Sequence, residues 1–396
     1  MHPPGADVIL VRHGEISLKS EQVRRKMEGR LRDNIASLLA DRGIDGEVER
    51  RRTRLYVHTD APAAATDAVT DAFGVVSASP AIRTEPTLPA ICEALADTAA
   101  ARYDGGAFAV SARRAGREEQ HPFTSEDIEQ EGGSAVWDAI EDLSEEPVVD
   151  LDDPDFELFV ECRPDAAYVF LAKQPGPGGL PLGTQRPLVA LVSGGIDSPV
   201  AAWQTMRRGC PVVPVYVDLG DYGGPDHRAR AAATVADLKR YAPHREMALR
   251  VVHGGEAVAD LAAATGPTRM LSLRRFMLAA AERIAERETA VGIVTGEAIG
   301  QKSSQTSANL AVTDAAVDLP VHRPNVTTDK DEITATAREI GTFEESTIQT
   351  GCNRVAPSYP ETNATLSAVR DAEPDDLLDR ARALAEDAER VPIEPS

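Results

Sequence analysis

The sequence predicts an α/β protein in which a small α+β portion precedes a doubly wound domain built on a parallel sheet. Short apolar segments alternate with helical segments along the 396 residues. A glycine- and proline-rich run at 174–186 then interrupts all periodicity. Beyond it, strand and helix signals alternate as they do in parallel sheets. A chain of this length is expected to form two or three domains, and this run is the clearest boundary.

The portion before the boundary is predicted to contain two α+β subdomains. The N-terminal subdomain has strands at 7–12 and 47–58 and helices at 21–41 and 63–73. The following subdomain has, in order, a strand near Ser79, a helix at 88–102, a strand at 107–112, a helix at 124–143 and strands at 156–162 and 167–173. Alternating apolar residues mark the strands, and the helices carry mixed charged faces.

The portion after the boundary is predicted to form the parallel sheet. Its apolar strands are expected at 188–192, 212–217, 247–252 and 291–295. Its helices are expected at 199–208, 226–240 and 269–286, with an acidic helix at 374–390. In doubly wound sheets the ligand lies at the carboxyl ends of the strands. Three clusters, at 269–277, 291–306 and 323–333, are therefore expected to lie at the site, and Lys330 is expected to begin a helix.

The loop after the first of these strands is the strongest chemical signal. Residues 193–198 read Ser-Gly-Gly-Ile-Asp-Ser, and Pro199 follows at a helix start. Gly194 and Gly195 let backbone N–H groups approach an oxygen closely, while Ser193 and Ser198 add hydroxyl donors. The helix N-terminus adds partial positive charge. The loop is predicted to bind phosphates, because a simple glycine turn does not need this set of flanking residues.

Asp197 within this loop indicates a cation. A carboxylate beside phosphates is repulsive unless a cation lies between them, so Asp197 is predicted to hold Mg²⁺ against the phosphates of ATP. The spacing G-x-x-x-x-G-K-[ST] is absent from the segment, which argues against γ-phosphoryl transfer by the P-loop route. The pattern resembles the PP-loop of the ATP pyrophosphatases, which adenylate a substrate oxygen.

Composition indicates the environment of the protein but says little about its ligand. The formal charge is −22, and only six of the 42 basic residues are lysines, a balance typical of proteins adapted to high salt. No apolar stretch is long enough to span a bilayer and no signal-peptide layout is present, so we expect a cytoplasmic protein without a membrane partner. Cys92, Cys162, Cys210 and Cys352 are too scattered for a disulfide framework or a metal pair.

Charge is uneven along the chain: basic residues outnumber acidic ones at 1–54, although the chain as a whole is acidic. This surplus indicates either a surface that faces a polyanion or a solvated helix face. We predict a basic groove that binds RNA and joins arginines of both α+β subdomains. Its members are Arg24, Arg25, Arg30, Arg52, Arg113, Arg114 and Arg117.

Several motifs occur together and in order across nearly the whole chain. They are Glu-Ile-Ser-Leu-Lys-Ser at 15–20, Phe-Thr-Ser-Glu-Asp-Ile at 123–128 with Gly-Gly at 132–133, Gly-Leu-Pro-Leu-Gly-Thr-Gln at 179–185, Thr-Gly-Glu at 295–297, Ser-Gln-Thr at 304–306, Arg-Pro at 323–324 and Asp-Lys at 329–330. With the PP-loop, they resemble the tRNA 4-thiouridine synthetase family, ThiI.

The resemblance implies a domain order. It comprises an N-terminal ferredoxin-like domain at 1–68, a THUMP RNA-binding domain at 69–173, a linker at 174–186 and a PP-loop ATP pyrophosphatase domain at 187–396.

The resemblance also implies a reaction: ATP-dependent replacement of O4 by sulfur in uridine 8 of tRNA. Catalysis would use Asp197, Lys330 and Cys352. The residues implied to bind ATP are Leu191, Val192, Ser193, Gly194, Gly195, Asp197, Ser198, Tyr216, Val217, Arg274, Gly296 and Gln305. From the residues alone, the alternative for Arg274 and Lys330 is an exposed ion pair with a neighbouring Glu or Asp. The alternative for Tyr216 and Val217 is core packing, which is expected whatever the function.

Sulfur delivery departs from the family pattern. We expect no rhodanese domain after the acidic C-terminal helix, and positions 270–273 read Met-Leu-Ser-Leu in place of the Cys-x-x-Cys pair of some archaeal relatives. Cys352 lies in a polar segment at the position of the family's catalytic cysteine, where its pKa could be lowered. The sulfur donor is expected to be sulfide, a persulfide on Cys352 or a small thiocarboxylate carrier protein.

Two other functions remain open at this stage. One is a PP-loop enzyme that adenylates a different RNA base or a small molecule, and the other is an RNA-binding protein without catalysis. The resemblance also allows for a homodimer.

Overall fold

The structure is a computed structural model. It describes residues 1–51, 54–116, 121–141, 147–223, 225–344 and 355–394. The chain divides into two compact units, Met1–Gly179 and Leu180–Ser396. The division falls within the glycine- and proline-rich run.

The first unit is built on one nine-stranded sheet with the order β2-β3-β1-β4-β8-β7-β5-β6, and β9 pairs with β4. The strands are β1 Val8–His13, β2 Glu47–Arg51, β3 Arg54–His58, β4 Val75–Thr84, β5 Ala107–Arg114, β6 Val148–Val149, β7 Phe156–Arg163, β8 Ala166–Phe170 and β9 Gln174–Pro175. The helices are α1 Glu21–Asp41, α2 Pro62–Thr70, α3 Leu88–Arg102 and α4 Ser125–Ile140.

Two apolar clusters hold the four helices on this sheet. Ile35 and Leu38 of α1 and Val69 of α2 pack against Ile9 and Leu55. The α3 and α4 side chains pack in the same way against β5, β7 and β8. A capping box between Thr124 and Asp127 begins α4.

The prediction of one strand over 47–58 is wrong. The segment forms two strands, β2 and β3, which pair antiparallel with Arg51 opposite Arg54. Neither glycine nor proline occurs in this arginine-rich stretch, so the usual composition signal for a hairpin is absent.

The second unit is built on a six-stranded sheet with the order β14-β13-β10-β11-β12-β15. The strands are β10 Leu188–Leu191, β11 Val212–Asp218, β12 Ala248–His253, β13 Ile293–Val294, β14 Val321–His322 and β15 Glu389–Pro392. The helices are α5 Asp197–Arg207, α6 Pro225–Lys239, α7 Gly255–Ala264, α8 Arg269–Arg287, α9 Ser307–Asp314, α10 Lys330–Glu339, α11 Leu366–Ala372 and α12 Leu377–Glu386.

The predicted parallel sheet is confirmed for the strands that surround the candidate loops, because β10 pairs in parallel with both β11 and β13. The predicted acidic helix at 374–390 extends too far. It ends at Glu386, and Glu389–Pro392 adds an antiparallel edge strand to β12. Helix α5 begins at Asp197, two residues earlier than predicted, so the end of the phosphate loop is its first turn.

Within the ranges that the structure describes, no helix has both the length and the apolar character that a membrane span requires.

Candidate nucleotide-binding site

A cavity of about 250 Å³ lies at the carboxyl ends of β10, β11 and β13. Met270, Leu273 and Met277 of α8 supply apolar lining, and the 193–198 loop supplies polar lining. Every residue that the sequence resemblance implies for ATP contributes to this lining. The structure therefore brings the whole predicted set to one place. An apolar wall beside a few convergent polar groups is the usual form of a cofactor site.

The 193–198 loop is closed by its own serines. The Ser193 N–H donates to Ser198 Oγ at 2.9 Å, and the two hydroxyl oxygens lie 3.1 Å apart. The Gly195 N–H donates to Ser193 Oγ at 3.3 Å. These bonds fix the turn between β10 and α5, so the helix N-terminus is held beside the cavity.

Gly296 is required by close packing against this helix start. A Cβ at Gly296 would lie 2.6 Å from both the carbonyl carbon of Asp197 and the nitrogen of Ser198. Both atoms are backbone and cannot move aside without shifting the helix. The absence of a side chain at Gly296 thus lets the loop after β13 meet the phosphate loop.

Asp197 is held from three directions. Lys330 Nζ donates to Asp197 Oδ1 at 2.6 Å, and Gln301 Nε2 lies 3.4 Å from the same oxygen. Asn325 Nδ2 donates to the Asp197 backbone oxygen at 2.9 Å. The Asp197 carboxylate is therefore paired with Lys330, and its backbone is anchored by Asn325.

The described residues contain no group of three or more His, Cys, Asp or Glu side chains that could hold a metal ion. Mg²⁺ commonly binds through one or two carboxylates together with substrate phosphates and water. The donor set fits such an ion only if ATP oxygens complete the coordination around Asp197.

Glu297 lines the cavity and is buried, and it was not among the predicted site residues. Its carboxylate forms an ion pair with Arg274, accepts from Arg323 Nε at 2.7 Å and accepts from Thr295 Oγ1 at 2.9 Å. Burial alone would raise the pKa of Glu297, but the charges of Arg274 and Arg323 outweigh it and lower the pKa. The Thr-Gly-Glu motif at 295–297 was the available signal.

Arg274 is fixed on its other side by Gln305. With its amide oriented to satisfy both neighbours, Gln305 accepts from Arg274 Nη2 at 3.1 Å and donates to the Ala298 oxygen at 2.9 Å. The ion-pair interpretation of Arg274 and the ligand interpretation are thus compatible. The guanidinium lines the cavity while its partner Glu297 holds it in place.

Tyr216 and Val217 lie on β11 and are buried, and both line the cavity. Val217 also belongs to the apolar core of the second unit. Val217 therefore packs in the core and forms part of the cavity wall at the same time.

The predicted RNA-binding arginines lie on elements at opposite ends of the first sheet. Arg24, Arg25 and Arg30 are on α1, which packs near β2, while Arg113 and Arg114 are on β5. Strands β3, β1, β4, β8 and β7 separate β2 from β5 in the sheet order. The structure does not join the two sets through neighbouring strands. Arg52, Arg117 and Cys352 lie outside the described residues.

The parallel sheet, the Ser-Gly-Gly-x-Asp-Ser loop at its first strand and the cavity beside it define the PP-loop class of nucleotide-dependent enzymes. Three family models match the chain in order: the ThiI ferredoxin-like domain over residues 8–79, the THUMP domain over 84–172 and the thiamine biosynthesis protein ThiI over 183–377. The chain belongs to the ThiI family of tRNA sulfurtransferases.

Relatives and solved structures agree with this assignment. A probable tRNA sulfurtransferase of Halobacterium salinarum is 60% identical over 393 residues, covering 99% of each chain. One from Methanosarcina acetivorans is 40% identical over 367 residues, covering 92% of this chain and 88% of its own. The crystal structure of a 4-thiouridine synthetase–RNA complex with bound ATP matches with a TM-score of 0.82 and 28% identity, covering 98% of this chain and all of that one.

Proposed function

We propose that this protein uses ATP to replace O4 of uridine 8 in tRNA by sulfur, giving 4-thiouridine. The observation that carries the proposal is the single cavity that collects the phosphate loop, Arg274, Gly296 and Gln305. Its apolar wall suits an adenine ring, and its loop and helix N-terminus suit the phosphates. The similarity to a synthetase solved with RNA and ATP supports the same ligands here.

The first chemical step is adenylation. Uridine O4 attacks the α-phosphorus of ATP, the new O–P bond forms, and the bond from the α-phosphorus to the pyrophosphate oxygen breaks. Arg274 and Lys330 stabilise the negative charge that develops on the phosphate oxygens, as fixed donors do when they are placed before the reaction. Mg²⁺, held between Asp197 and the phosphates, would neutralise the leaving pyrophosphate.

The second step exchanges oxygen for sulfur. A sulfur nucleophile attacks C4 of the activated base, the C4–O bond breaks, and AMP leaves with the original oxygen. Sulfide completes this step without a further reagent. A persulfide on Cys352 would need a second thiol to cleave the S–S bond, and a carrier thiocarboxylate would need hydrolysis of the acyl group. These are the three donor classes to be compared.

The test is thiolation of unmodified tRNA by the purified protein with ATP, Mg²⁺ and sulfide in high salt. Asp197→Asn removes the loop carboxylate, Cys352→Ser removes the thiol, and Asp260→Asn is a matched control at an exposed acid paired with Arg380. We expect 4-thiouridine from the wild type and the control and none from Asp197→Asn. With sulfide as the only donor, Cys352→Ser should keep its activity if sulfide attacks directly, because sulfide cannot form a persulfide on the thiol without an oxidant. Repeating the comparison with a persulfide donor tests transfer through the thiol.

Pyrophosphate release distinguishes the remaining alternatives. Release that requires tRNA supports the proposed reaction. If ATP is split to AMP and pyrophosphate without thiolation, the enzyme adenylates another base or a small molecule. If tRNA binds but ATP is not split, the protein binds RNA without catalysis. Sedimentation of the active protein tests the expected homodimer.

A further inference from the structure

Three arginines of the first unit converge on one buried carboxylate. Arg54 Nη1 lies 2.8 Å from Glu161 Oε2, and Arg163 Nη2 lies 2.7 Å from Glu161 Oε1. Arg12 Nη2 lies 3.5 Å from Glu161 Oε2, and Arg12 Nη1 donates to Ser79 Oγ at 2.8 Å. We call Arg12, Arg54, Arg163 and Glu161 the Glu161 cluster.

The cluster is assembled by the curl of the sheet. Arg54 is on β3 and Glu161 on β7, and β1, β4 and β8 separate these strands in the sheet order. In a flat sheet, strands four steps apart would be about 19 Å from each other, too far for these side chains to meet. The rings of Tyr56 on β3 and Tyr168 on β8 also stack, with centroids 5.4 Å apart. The sheet therefore curves toward this face and brings the arginines together.

This face is opposite to the one that the helices cover. Its apolar cluster, which includes Leu10, Tyr56 and Phe170, contains strand residues only. Because side chains alternate along a strand, Arg12 and Arg54 lie on the same face as Leu10 and Tyr56. The Arg12 guanidinium also stacks on the Phe170 ring at 4.8 Å. The fold thus holds Arg12 in a fixed orientation against the aromatic side chain of Phe170.

The cluster carries more positive than negative charge. Three guanidinium groups face one carboxylate, and their side chains are only 17–18% exposed, compared with 8% for Glu161. Burial would raise the pKa of Glu161, but the three arginines lower it, so the carboxylate stays ionised. Burial lowers the pKa of Arg12 to about 10, with Arg54 acting in the same direction and Glu161 opposing it.

The Arg12 guanidinium is held on two sides within the cluster. Its Nη1 donates to Ser79 Oγ, and its buried Nη2 faces Glu161 Oε2 at 3.5 Å, longer than a normal hydrogen bond. Partly desolvated cations repel one another, and the single carboxylate of Glu161 offsets only one of the three positive charges. The arrangement therefore has the excess positive charge and the partial exposure of an anion-binding site.

We propose that the Glu161 cluster binds a phosphate of the tRNA backbone, an inference that rests on the proposed tRNA substrate. Arginine forks match phosphate oxygens in paired hydrogen bonds. The cluster also joins residues from the ferredoxin-like match, Arg12 and Arg54, to Arg163 in the THUMP match. Partly buried charges are screened less by salt than exposed ones, so such a site suits a protein with a net charge of −22.

The experiment measures the binding of unmodified tRNA to the full-length protein without ATP, over a range of salt concentrations. Arg163→Gln removes one fork, and Arg163→Lys keeps the charge without the fork. Arg42→Gln is the matched control. Arg42 lies in the same unit, directly after α1, and pairs with Asp71, directly after α2. Far-ultraviolet circular dichroism verifies that each variant is folded.

We expect Arg163→Gln to weaken tRNA binding about tenfold and to lower the log–log salt slope by about one. Arg163→Lys should keep the slope and bind with intermediate affinity, and Arg42→Gln should match the wild type. A folded Arg163→Gln that binds tRNA within twofold of the wild type would overturn the site. If Arg163→Gln does not fold, Arg163→Lys decides: weaker binding supports the site and unchanged binding overturns it.

Failure of this site and failure of the proposed function are distinguishable. If the wild type thiolates tRNA and the Arg163 variants bind it normally, only the site is wrong. If neither the wild type nor any variant thiolates tRNA but Arg163→Gln still binds it more weakly, the phosphate site is supported and the proposed reaction is rejected. If Arg163→Gln and Arg42→Gln lose affinity equally, the effect is one of net charge and the specific site is rejected.

Discussion

Lys330 Nζ donates a 2.6 Å hydrogen bond to Asp197 Oδ1, although the two residues lie 133 positions apart in the chain. Each is the first residue of its helix, Asp197 of α5 and Lys330 of α10. The pair therefore brings two helix N-termini together, and both termini carry partial positive charge. The Asp197 carboxylate offsets part of this positive charge.

Replacing Lys330 by methionine should slow the reaction more than it weakens ATP binding. The ammonium group is expected to stabilise charge that develops on the phosphate in the transition state, and loss of one such donor typically costs about 100-fold or more in kcat. Lys330→Arg keeps the charge and should retain more of the activity. Single-turnover thiolation and ATP binding measure the two effects separately. A methionine variant with nearly normal kcat would exclude this role.

The phosphate loop could be predicted because its signal is local. Ser193, Gly194, Gly195 and Ser198 are neighbours in the chain, and the hydrogen bonds that close the loop span at most five residues. The role of Glu297 could not be predicted in the same way. Its partners Arg274 and Arg323 lie 23 and 26 residues away on different elements, and only the folded sheet brings them together.

The strand at Glu389–Pro392 and the Glu161 cluster show the same limit. Local periodicity continued the acidic helix to Arg390, but pairing with β12 converts that end into an edge strand. Arg54 and Glu161 are 107 residues apart, and their contact depends on the curl of a nine-stranded sheet. Curvature of this kind is set by all the strands together, so no single segment encodes it.

Replacing Glu297 by glutamine should raise the KM for ATP about tenfold with a smaller change in kcat. Glutamine keeps the size of the side chain but loses the charge that holds Arg274 and Arg323, so the two guanidinium groups repel each other. Steady-state kinetics at varied ATP concentration measure the effect. Glu288→Gln, which breaks the partly buried pair with Arg250 away from the cavity lining, is the control and should have the same KM for ATP as the wild type. Equal effects in both variants would argue against positioning by Glu297.

The stability contribution of Glu297 should depend on pH in a defined direction. Arg274 and Arg323 lower the pKa of Glu297 below its ordinary value of 4.5. A depressed carboxylate pKa stabilises the folded state above the unfolded-state value, and the contribution is lost as pH falls through the folded-state pKa. The wild type should exceed Glu297→Gln by about 3 kcal/mol in free energy of unfolding at pH 7. This difference should shrink only below about pH 4.5. Denaturant titrations at several pH values measure it, and a difference independent of pH would contradict the assignment.

Replacing Gly296 by alanine should disrupt the site through the backbone. The added Cβ would lie 2.6 Å from backbone atoms of Asp197 and Ser198, so either β13 or the start of α5 must shift. We expect a loss of about 1–3 kcal/mol in the free energy of unfolding, the usual cost of overpacking, and a weaker affinity for ATP. Gly266→Ala is the matched control in the same unit, since no atom lies within 4 Å of its Cβ position. Calorimetric titration with ATP and thermal unfolding measure both effects. If Gly296→Ala binds ATP as Gly266→Ala does, the contact between the loop after β13 and the phosphate loop does not shape the nucleotide site.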